Sequence, residues 1–238
     1  LAYQLAFLKA HYPLEFYQAI LNQGRSNLNS FVDYIEEAKR RLGKILPVDI
    51  NRSFRGVTIE EDALRIGFES IKGLRREMIT HILDERKLEG NYQDLFSFLG
   101  RLPKKWQKQE LIENLVRAGA FDSFGYNRAT IFYNLPSFLQ SIEYSGLNLN
   151  LFEAIEPKVD IQEEWSQTKT ATEEKEALGF TLAPHPLEQY QAQLAALDDL
   201  NTLYQMKIKR KLKTIIFVQY IRVIETKKGY EMAFVTAD

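Results

Sequence analysis

The chain has 238 residues, of which 45% are hydrophobic and 26% are charged, a balance found in ordinary globular proteins. It contains no cysteine, which excludes disulfides, a thiolate nucleophile and cysteine-ligated zinc, and its three histidines are too far apart in sequence to share a ligand spacing. No apolar run approaches the roughly 18 residues that a membrane span needs and no signal peptide is visible, so we expect a cytoplasmic protein without a membrane partner.

The charges are unevenly distributed, although the net charge is only −1. Residues 72–128 carry 11 Lys and Arg against 8 Asp and Glu, and residues 201–228 carry 8 against 1. Between them, residues 140–200 carry 3 basic and 12 acidic side chains. Two basic stretches that flank an acidic one attract phosphate more strongly than the total charge indicates.

The chain opens with helical patterns over residues 1–43. The first residue is a leucine and the helical pattern starts at once, so we expect an excised part of a longer protein. Pro13 suits the first turn of a second helix. A third, amphipathic helix is predicted to end at Gly43. Its apolar face comprises Leu28, Phe31, Ile35, Ala38 and Leu42.

The pattern changes from helix to strand over residues 45–71. Apolar residues alternate on both sides of the acidic turn Glu60-Glu61-Asp62, which predicts a small β-hairpin. This hairpin leads to a turn at Lys72-Gly73.

Residues 75–142 are predicted to be helical again. Start and stop signals predict four helices: one from Arg75 to Leu88 ending at Gly90, a short one capped by Asp94 or Ser97, one over 107–118, and one from Asn127 to about residue 140. Pro136 lies inside the last of these and is expected to kink or split it.

The last third of the chain is less regular. Residues 144–171 are acidic and poorly periodic, which predicts a linker, and residues 172–197 contain two short helical patterns. From Leu212 the pattern is that of a β-hairpin with its turn at Lys227-Lys228-Gly229. Since a lone two-stranded hairpin is marginally stable in water, we expect more of its domain to follow.

The turn from Lys72 to Arg76 predicts a helix-hairpin-helix motif. The N-terminus of a helix offers unpaired N–H groups and a partial positive charge, and can therefore hold a phosphate. The expected contacts with a nucleic-acid backbone are Lys72, Gly73, Leu74, Arg75 and Arg76. The plainer alternative is a glycine cap with solvated charges.

A looser second copy of this pattern follows over residues 111–125. Tandem hairpins can hold both backbones of a duplex across its minor groove without reading sequence, so binding should depend on salt. The expected contacts of the second hairpin are Arg117, Gly119, Asn127 and Arg128. Lys104 and Lys105, beside Trp106, either extend this phosphate track or form a solvated helix start next to a buried tryptophan.

An apolar segment, residues 146–152, lies inside the acidic linker. A polar, flexible segment cannot bury such residues by itself, so they either dock into an apolar pocket of a partner or fold back onto their own domain.

No catalytic residue and no metal site is expected. None of the acidic clusters lies at a glycine-framed strand end, where phosphoryl-transfer enzymes hold their metal-binding acids. We interpret these clusters as solvated faces: Glu36-Glu37, Glu60-Glu61-Asp62, Glu163-Glu164 and Glu173-Glu174. The chain also has neither a phosphate-cradling glycine loop nor a nucleophile elbow.

An ordered series of motifs along nearly the whole chain resembles the bacterial DNA polymerase III alpha subunits, the C-family replicative polymerases. The matching segments are 9–16 (KAHYPLEF), 45–51 (ILPVDIN), 65–73, 118–122 (AGAFD) with Asn127-Arg128, 174–180 (EKEALGF) with His185-Pro186-Leu187, and 226–234.

The resemblance implies an α+β, mostly α-helical chain in four parts. Residues 1–70 resemble the end of the fingers domain, 71–145 a tandem helix-hairpin-helix domain that holds duplex DNA, 146–211 a clamp-binding peptide followed by a linker with short helices, and 212–238 the start of an OB-type barrel. The implied partners are primer-template duplex, the sliding clamp (beta subunit) and other replisome subunits. The catalytic aspartates and their Mg²⁺ belong to a palm domain upstream, so the parent chain would be a DNA-directed DNA polymerase and this part inactive alone.

The sequence departs from the family pattern at two positions. The implied clamp-binding residues are Asn148, Leu149, Asn150, Leu151 and Phe152, where the family has glutamine at the first position. Arg75 stands where the hairpin of the family has a second glycine, so Arg75 either adopts a strained turn or the turn differs.

Two other classes of function remain open from the residues alone. A helix-hairpin-helix DNA glycosylase would use Lys72 with an acid such as Asp84 or Asp94, and a protein-interaction scaffold would use the hairpins for protein contacts only.

Overall fold

The computed structural model describes residues 2–23, 28–147, 158–184, 187, 190–194, 197, 214–225 and 230–237. The chain divides into two compact units, Leu1–Ala183 and Pro184–Asp238. The mixed class predicted from the sequence, mostly helical with a few strands, is confirmed.

Three helices begin the first unit, as predicted: α1 (Ala2–His11), α2 (Pro13–Gln23) and α3 (Leu28–Leu42). Phe31, Ile35 and Ala38 are buried on the predicted face of α3. Gly43 follows α3 with a φ of +74°, a conformation that glycine adopts without strain. No residue of α1 is buried, so this helix adds little to the core.

The predicted β-hairpin is confirmed and belongs to a three-stranded sheet. Strands β2 (Thr58–Glu60) and β3 (Ala63–Arg65) pair antiparallel, with Thr58 opposite Arg65. The sequence pattern missed β1 (Ile45–Leu46), which pairs in parallel with β3 to give the strand order β1-β3-β2. A strand of two residues is too short to show an alternating pattern.

The loop between β1 and β2 joins this sheet to the helices that follow. The backbone N–H of Ile50 donates to the carbonyl of Ala120 at 2.8 Å. The side chain of Asn51 exchanges two hydrogen bonds with the backbone of Tyr92, each 2.8 Å long. The Ser53 hydroxyl, fully buried, donates to the carbonyl of Ile66 at 2.7 Å. These bonds fix the loop at several points along its length.

Four further helices surround the candidate motif: α4 (Arg76–Glu89), α5 (Leu95–Arg101), α6 (Gln109–Arg117) and α7 (Arg128–Leu147). Asp94 caps α5 by accepting from the Ser97 N–H, so the first of the two predicted caps is confirmed. Gly90 follows α4 as predicted, with a φ of +77°. Helix α7 continues through Pro136 as one element, so of the two predicted outcomes the split does not occur, and the kink stays a prediction.

The part of the expected linker that follows residue 158 packs against α7. The Asn134 side chain exchanges hydrogen bonds with the backbone of Asp160, at 2.8 and 3.0 Å, and the Thr130 hydroxyl accepts from the Gln162 N–H at 2.9 Å. Helix α8 (Gln167–Leu178) then follows, capped by Ser166. The polar sequence of this segment does not predict its packing against α7, because the contacts are hydrogen bonds. They join backbone groups of the segment to two buried polar residues of α7, Thr130 and Asn134.

One continuous core extends through the first unit, from Tyr17 in α2 to Phe180 after α8. It crosses the predicted boundary at residue 70 without interruption. The division of the first unit into functional parts therefore stays a prediction, because the packing of the core shows no boundary between those parts.

The second unit contains α9 (Gln191–Leu194) and a two-stranded antiparallel sheet of β4 (Val218–Glu225) and β5 (Glu231–Ala237). The predicted C-terminal hairpin is thus confirmed, while its turn lies outside the described residues. Large apolar side chains are exposed on both strands, among them Tyr220, Ile221, Val223 and Phe234. Throughout the described ranges, every helix is too short or too polar to cross a bilayer.

Replacement of Gly67 by alanine should destabilise the first unit by about 3 kcal/mol. A Cβ at this position would overlap backbone atoms of Gly56 and Arg55, which cannot turn away as a side chain could. Urea unfolding followed by tryptophan fluorescence measures the loss. The matched control is Gly100→Ala in α5, where the new Cβ would meet only the Ile142 Cδ1 at 3.9 Å. An equal effect of both substitutions would contradict this reasoning.

Candidate nucleic-acid interface

The first glycine turn has the geometry that the motif requires. Gly73 has a φ of +82° and lies against α6, where its Cα hydrogen points toward Leu111 and Asn114. The Asn114 side chain donates to the Lys72 carbonyl at 3.1 Å, and the half-buried Leu74 packs on the core. The turn is therefore held from both sides at the entry to α4.

Arg75 and Arg76 are two exposed arginines at the end of this turn. Arg75 is the N-cap of α4 with a φ of −79°, so it adopts an ordinary extended conformation and Gly73 alone carries the positive φ. The strain that an arginine in place of the second glycine could have caused is absent. Among the described residues, neither guanidinium has a hydrogen bond or an ion pair, and the cap of α4 makes no side-chain hydrogen bond. Two free cations thus lie beside open N–H groups.

Lys72, by contrast, is engaged with α8. Its ammonium donates to the carbonyl of Glu176 at 2.7 Å, with that of Lys175 at 3.4 Å, and its backbone N–H donates to the carbonyl of Ala177 at 2.8 Å. The last carbonyls of a helix lack intrahelical partners and carry a partial negative charge. Lys72 therefore caps α8, although its side chain is still exposed.

The second glycine turn is built in the same way, with Gly119 at a φ of +80°. The side chains of its two arginines, Arg117 and Arg128, are largely buried and form ion pairs within the chain. Arg117 pairs with Glu173 at 2.8 Å, lies 3.6 Å from Glu113 and covers the ring of Phe132 at 5.1 Å. Only 15% of the Arg117 side chain is exposed.

Arg128 is more deeply engaged. Its guanidinium binds the Asp122 carboxylate, at 2.7 Å for the shortest bond, Glu174 at 2.9 Å and the Arg117 carbonyl at 3.1 Å. Burial alone would lower the pKa of Arg128, but the hydrogen bonds and charges of Asp122 and Glu174 outweigh it and raise that pKa. Arg128 is thus a permanently charged structural group.

Asn127 has the role predicted from sequence, together with a second one. It caps α7 by accepting from the Thr130 N–H at 2.7 Å, and its amide donates to the Gln162 carbonyl at 2.9 Å. Arg117, Asn127 and Arg128 were expected to contact the DNA backbone, and in the structure their side chains bind other groups of the chain. Helix α8 and the segment before it supply most of these partners, and contact of the three residues with DNA stays a prediction.

Glu173 and Glu174 overturn a further prediction, since both were interpreted as solvated. Glu174 is 3% exposed: one oxygen binds Arg128, and the other accepts from the Thr181 hydroxyl at 2.8 Å and from the N–H groups of Leu182 and Ala183 at 2.7 and 3.0 Å. Helix α8 therefore joins both glycine turns, through Lys72 on one side and Arg117 and Arg128 on the other. The sequence did not reveal that Glu173 and Glu174 bind these arginines, because two adjacent glutamates in a polar helix are usually exposed to solvent.

The two lysines of the basic patch between the hairpins are exposed, and Trp106 beside them is partly buried. Lys104 forms an exposed ion pair with Glu143 at 3.0 Å, of the kind that contributes little. Lys105 is exposed and lies over the ring of Trp106 at 4.2 Å, while Trp106 packs on the core and contacts His81.

Along the described ranges, the candidate metal ligands are acidic and histidine side chains. No three acidic or histidine side chains of those ranges gather closely enough to hold a metal ion. The amine of Lys72 is bound to helix carbonyls and Asp94 is a helix cap, so two of the three residues named for a glycosylase have structural roles, while Asp84 is exposed. The predicted clamp peptide, residues 148–152, lies outside the described residues.

Comparison with known proteins is consistent with this geometry. Residues 43–131 match a protein-family model described as a helix-hairpin-helix motif. The chain is 35% identical over 241 residues to the DNA polymerase III subunit alpha of Bacillus subtilis, covering 98% of this chain and 22% of that protein.

Other relatives agree. The chain is 34% identical over 243 residues to the protein of the same description from Staphylococcus aureus, covering 99% of this chain, and 32% identical over 250 residues to that of Borreliella burgdorferi, covering 98%. The chain spans about a fifth, 22%, of the length of each of these curated relatives. The resemblance inferred from the ordered motifs is confirmed.

Proposed function

We propose, from the homology of this chain to part of the DNA polymerase III alpha subunits, that it holds duplex DNA and the sliding clamp for a polymerase whose chemistry lies elsewhere in a longer polypeptide. The observation that carries the DNA role is the first glycine turn. It places two exposed, unpaired arginines at the N-terminus of a 14-residue helix, within residues that match a helix-hairpin-helix model.

The proposed grip is asymmetric. In the first hairpin Arg75 and Arg76 bind phosphate directly, together with the N–H groups at the start of α4. In the second hairpin the backbone of the Gly119 turn faces the DNA, while Arg117 and Arg128 attach that turn to α8. Lys104 and Lys105 contribute longer-range attraction only.

Fluorescence anisotropy with a labelled blunt duplex tests this role. Binding that is tight at about 50 mM salt and falls steeply toward about 200 mM supports it, because phosphate contacts release counterions. No retention of duplex even at low salt would favour the interaction scaffold. The glycosylase alternative predicts base release from damaged duplex, and no observation here favours it.

The clamp-binding role rests on the resemblance of residues 148–152 to the internal clamp peptide of the family. The double substitution Leu151→Ala with Phe152→Ala should abolish retention of the chain on immobilised beta subunit, because these side chains would fill an apolar pocket. Asn148→Gln restores the family residue and should strengthen retention. Retention that both variants leave unchanged would exclude this peptide as the anchor.

Joining duplex and clamp contacts in one chain would keep an active site near the primer end by raising its effective concentration. Polymerisation itself, with Mg²⁺ on palm carboxylates, is assigned to the remainder of the parent protein. The chain alone should extend no primer. We further propose a cytoplasmic location, contacts with other replisome subunits, and an OB-type barrel that β4 and β5 begin.

A further inference from the structure

Phe54 is an exposed aromatic side chain on a firmly held loop. Of this residue 55% is exposed, whereas the preceding Ser53 is fully buried. The Phe54 carbonyl accepts from the Phe68 N–H at 3.0 Å, and the Arg55 carbonyl accepts from the Glu69 N–H at 3.0 Å. The backbone that carries the ring is therefore held by hydrogen bonds while the ring itself is exposed.

A guanidinium group lies against this ring. The Arg86 Cζ is 5.1 Å from the Phe54 ring centroid, within the range of a cation–π interaction. Arg86 donates to the carbonyls of Ser53 at 2.8 Å and Ile50 at 3.1 Å, and burial lowers its pKa. In the described part of the chain Arg86 has no ion pair, so its charge is available to an anionic ligand.

Two more arginines flank the ring in sequence. The Arg52 side chain is 56% exposed and pairs with Glu60 at 2.5 Å. Arg55 is 37% exposed, donates to the Thr80 hydroxyl at 3.1 Å and lies 3.8 Å from Glu69. Phe54 is the one apolar side chain in the segment 51–56 (NRSFRG).

This composition fits a nucleobase better than a protein surface. An apolar docking site would need several neighbouring apolar side chains, but here Phe54 is the one apolar side chain of its segment and the guanidinium of Arg86 lies against its ring. Proteins bind unpaired bases by stacking them on aromatic rings while basic side chains neutralise the phosphates. We propose that Phe54 stacks on one unpaired base of a nucleic-acid single strand, with the guanidinium of Arg86 at its ring as the nearest positive charge.

Anisotropy with a labelled oligothymidylate tests this site on the full chain. Phe54→Ala should weaken binding about tenfold, the effect typical of losing one base–aromatic stack, and Phe54→Trp should preserve or strengthen it. The matched control is Leu88→Ala, which removes an apolar side chain that is 75% exposed on α4. Leu88→Ala should leave affinity and melting temperature unchanged, whereas Phe54→Ala should remain folded and lose at most about 1 kcal/mol of stability with the Arg86 contact.

The site is independent of the proposed duplex grip, and its failure can be recognised separately. Charge reversal at Arg75 and Arg76 should reduce blunt-duplex binding yet leave the ratio between native and Phe54→Ala affinities for the oligothymidylate unchanged. Native affinity in Phe54→Ala, an equal loss in Leu88→Ala, or an equal loss on blunt duplex would each overturn the stacking site.

Discussion

Replacing Glu174 by glutamine is expected to destabilise the Leu1–Ala183 unit by about 3–5 kcal/mol, the usual cost of removing one partner of a buried ion pair. The carboxylate is 3% exposed and accepts four hydrogen bonds, one from Arg128 and three from the turn at 181–183. An amide offers one acceptor oxygen and turns two donors toward groups that also donate. Either Arg128 or the turn therefore loses its partner.

Urea unfolding followed by the emission of Trp106 and Trp165, both in this unit, measures the loss. Glu176→Gln is the matched control, because Glu176 is in the same helix, 62% exposed and 3.8 Å from Arg117. It should change stability by no more than about 0.5 kcal/mol. Equal stability of the two variants would show that α8 does not hold the hairpins together through Glu174.

Reversing the charge of Arg75 and Arg76 to glutamate is expected to weaken duplex binding about 100-fold at about 50 mM salt. The substitution replaces two phosphate-binding cations by anions that also repel the backbone. Both side chains are exposed and have no described partner, so the fold should be unaffected. Anisotropy with blunt duplex measures the change.

Lys87→Glu is the control for this reversal. Lys87 is an exposed lysine of the same helix, but it lies in the last turn, away from the N–H groups that would seat phosphate. Its reversal should weaken binding only a few-fold, through the general field. A loss as large as that of the arginine pair would mean that net charge, and not the hairpin turn, holds the duplex.

Most elements of the first unit were predictable from sequence, because their signals are local. The apolar face of α3, the Asp94 cap and the glycines at 43, 73, 90 and 119 each act within a turn or two of the chain. All of them appear in the structure as predicted, with positive φ at each of these glycines.

The roles of the charged residues were not predictable in the same way. Arg117 and Arg128 have the spacing of phosphate ligands, yet their partners are Glu173 and Glu174, some 50 residues further on. Charge spacing reveals which residues share a turn, but not whether another helix covers them. Arg75 and Arg76 retain the predicted exposure because nothing described packs over the start of α4.

The salt dependence of blunt-duplex binding tests the asymmetric grip most directly. The native chain should be compared with the neutralised variant Arg75→Gln, Arg76→Gln by plotting the logarithm of the affinity constant against that of salt concentration. Each lost phosphate contact lowers the slope by about 0.9, so a decrease of about 1.8 is expected. An unchanged slope, or no native binding at about 50 mM salt, would contradict a duplex held by the first hairpin.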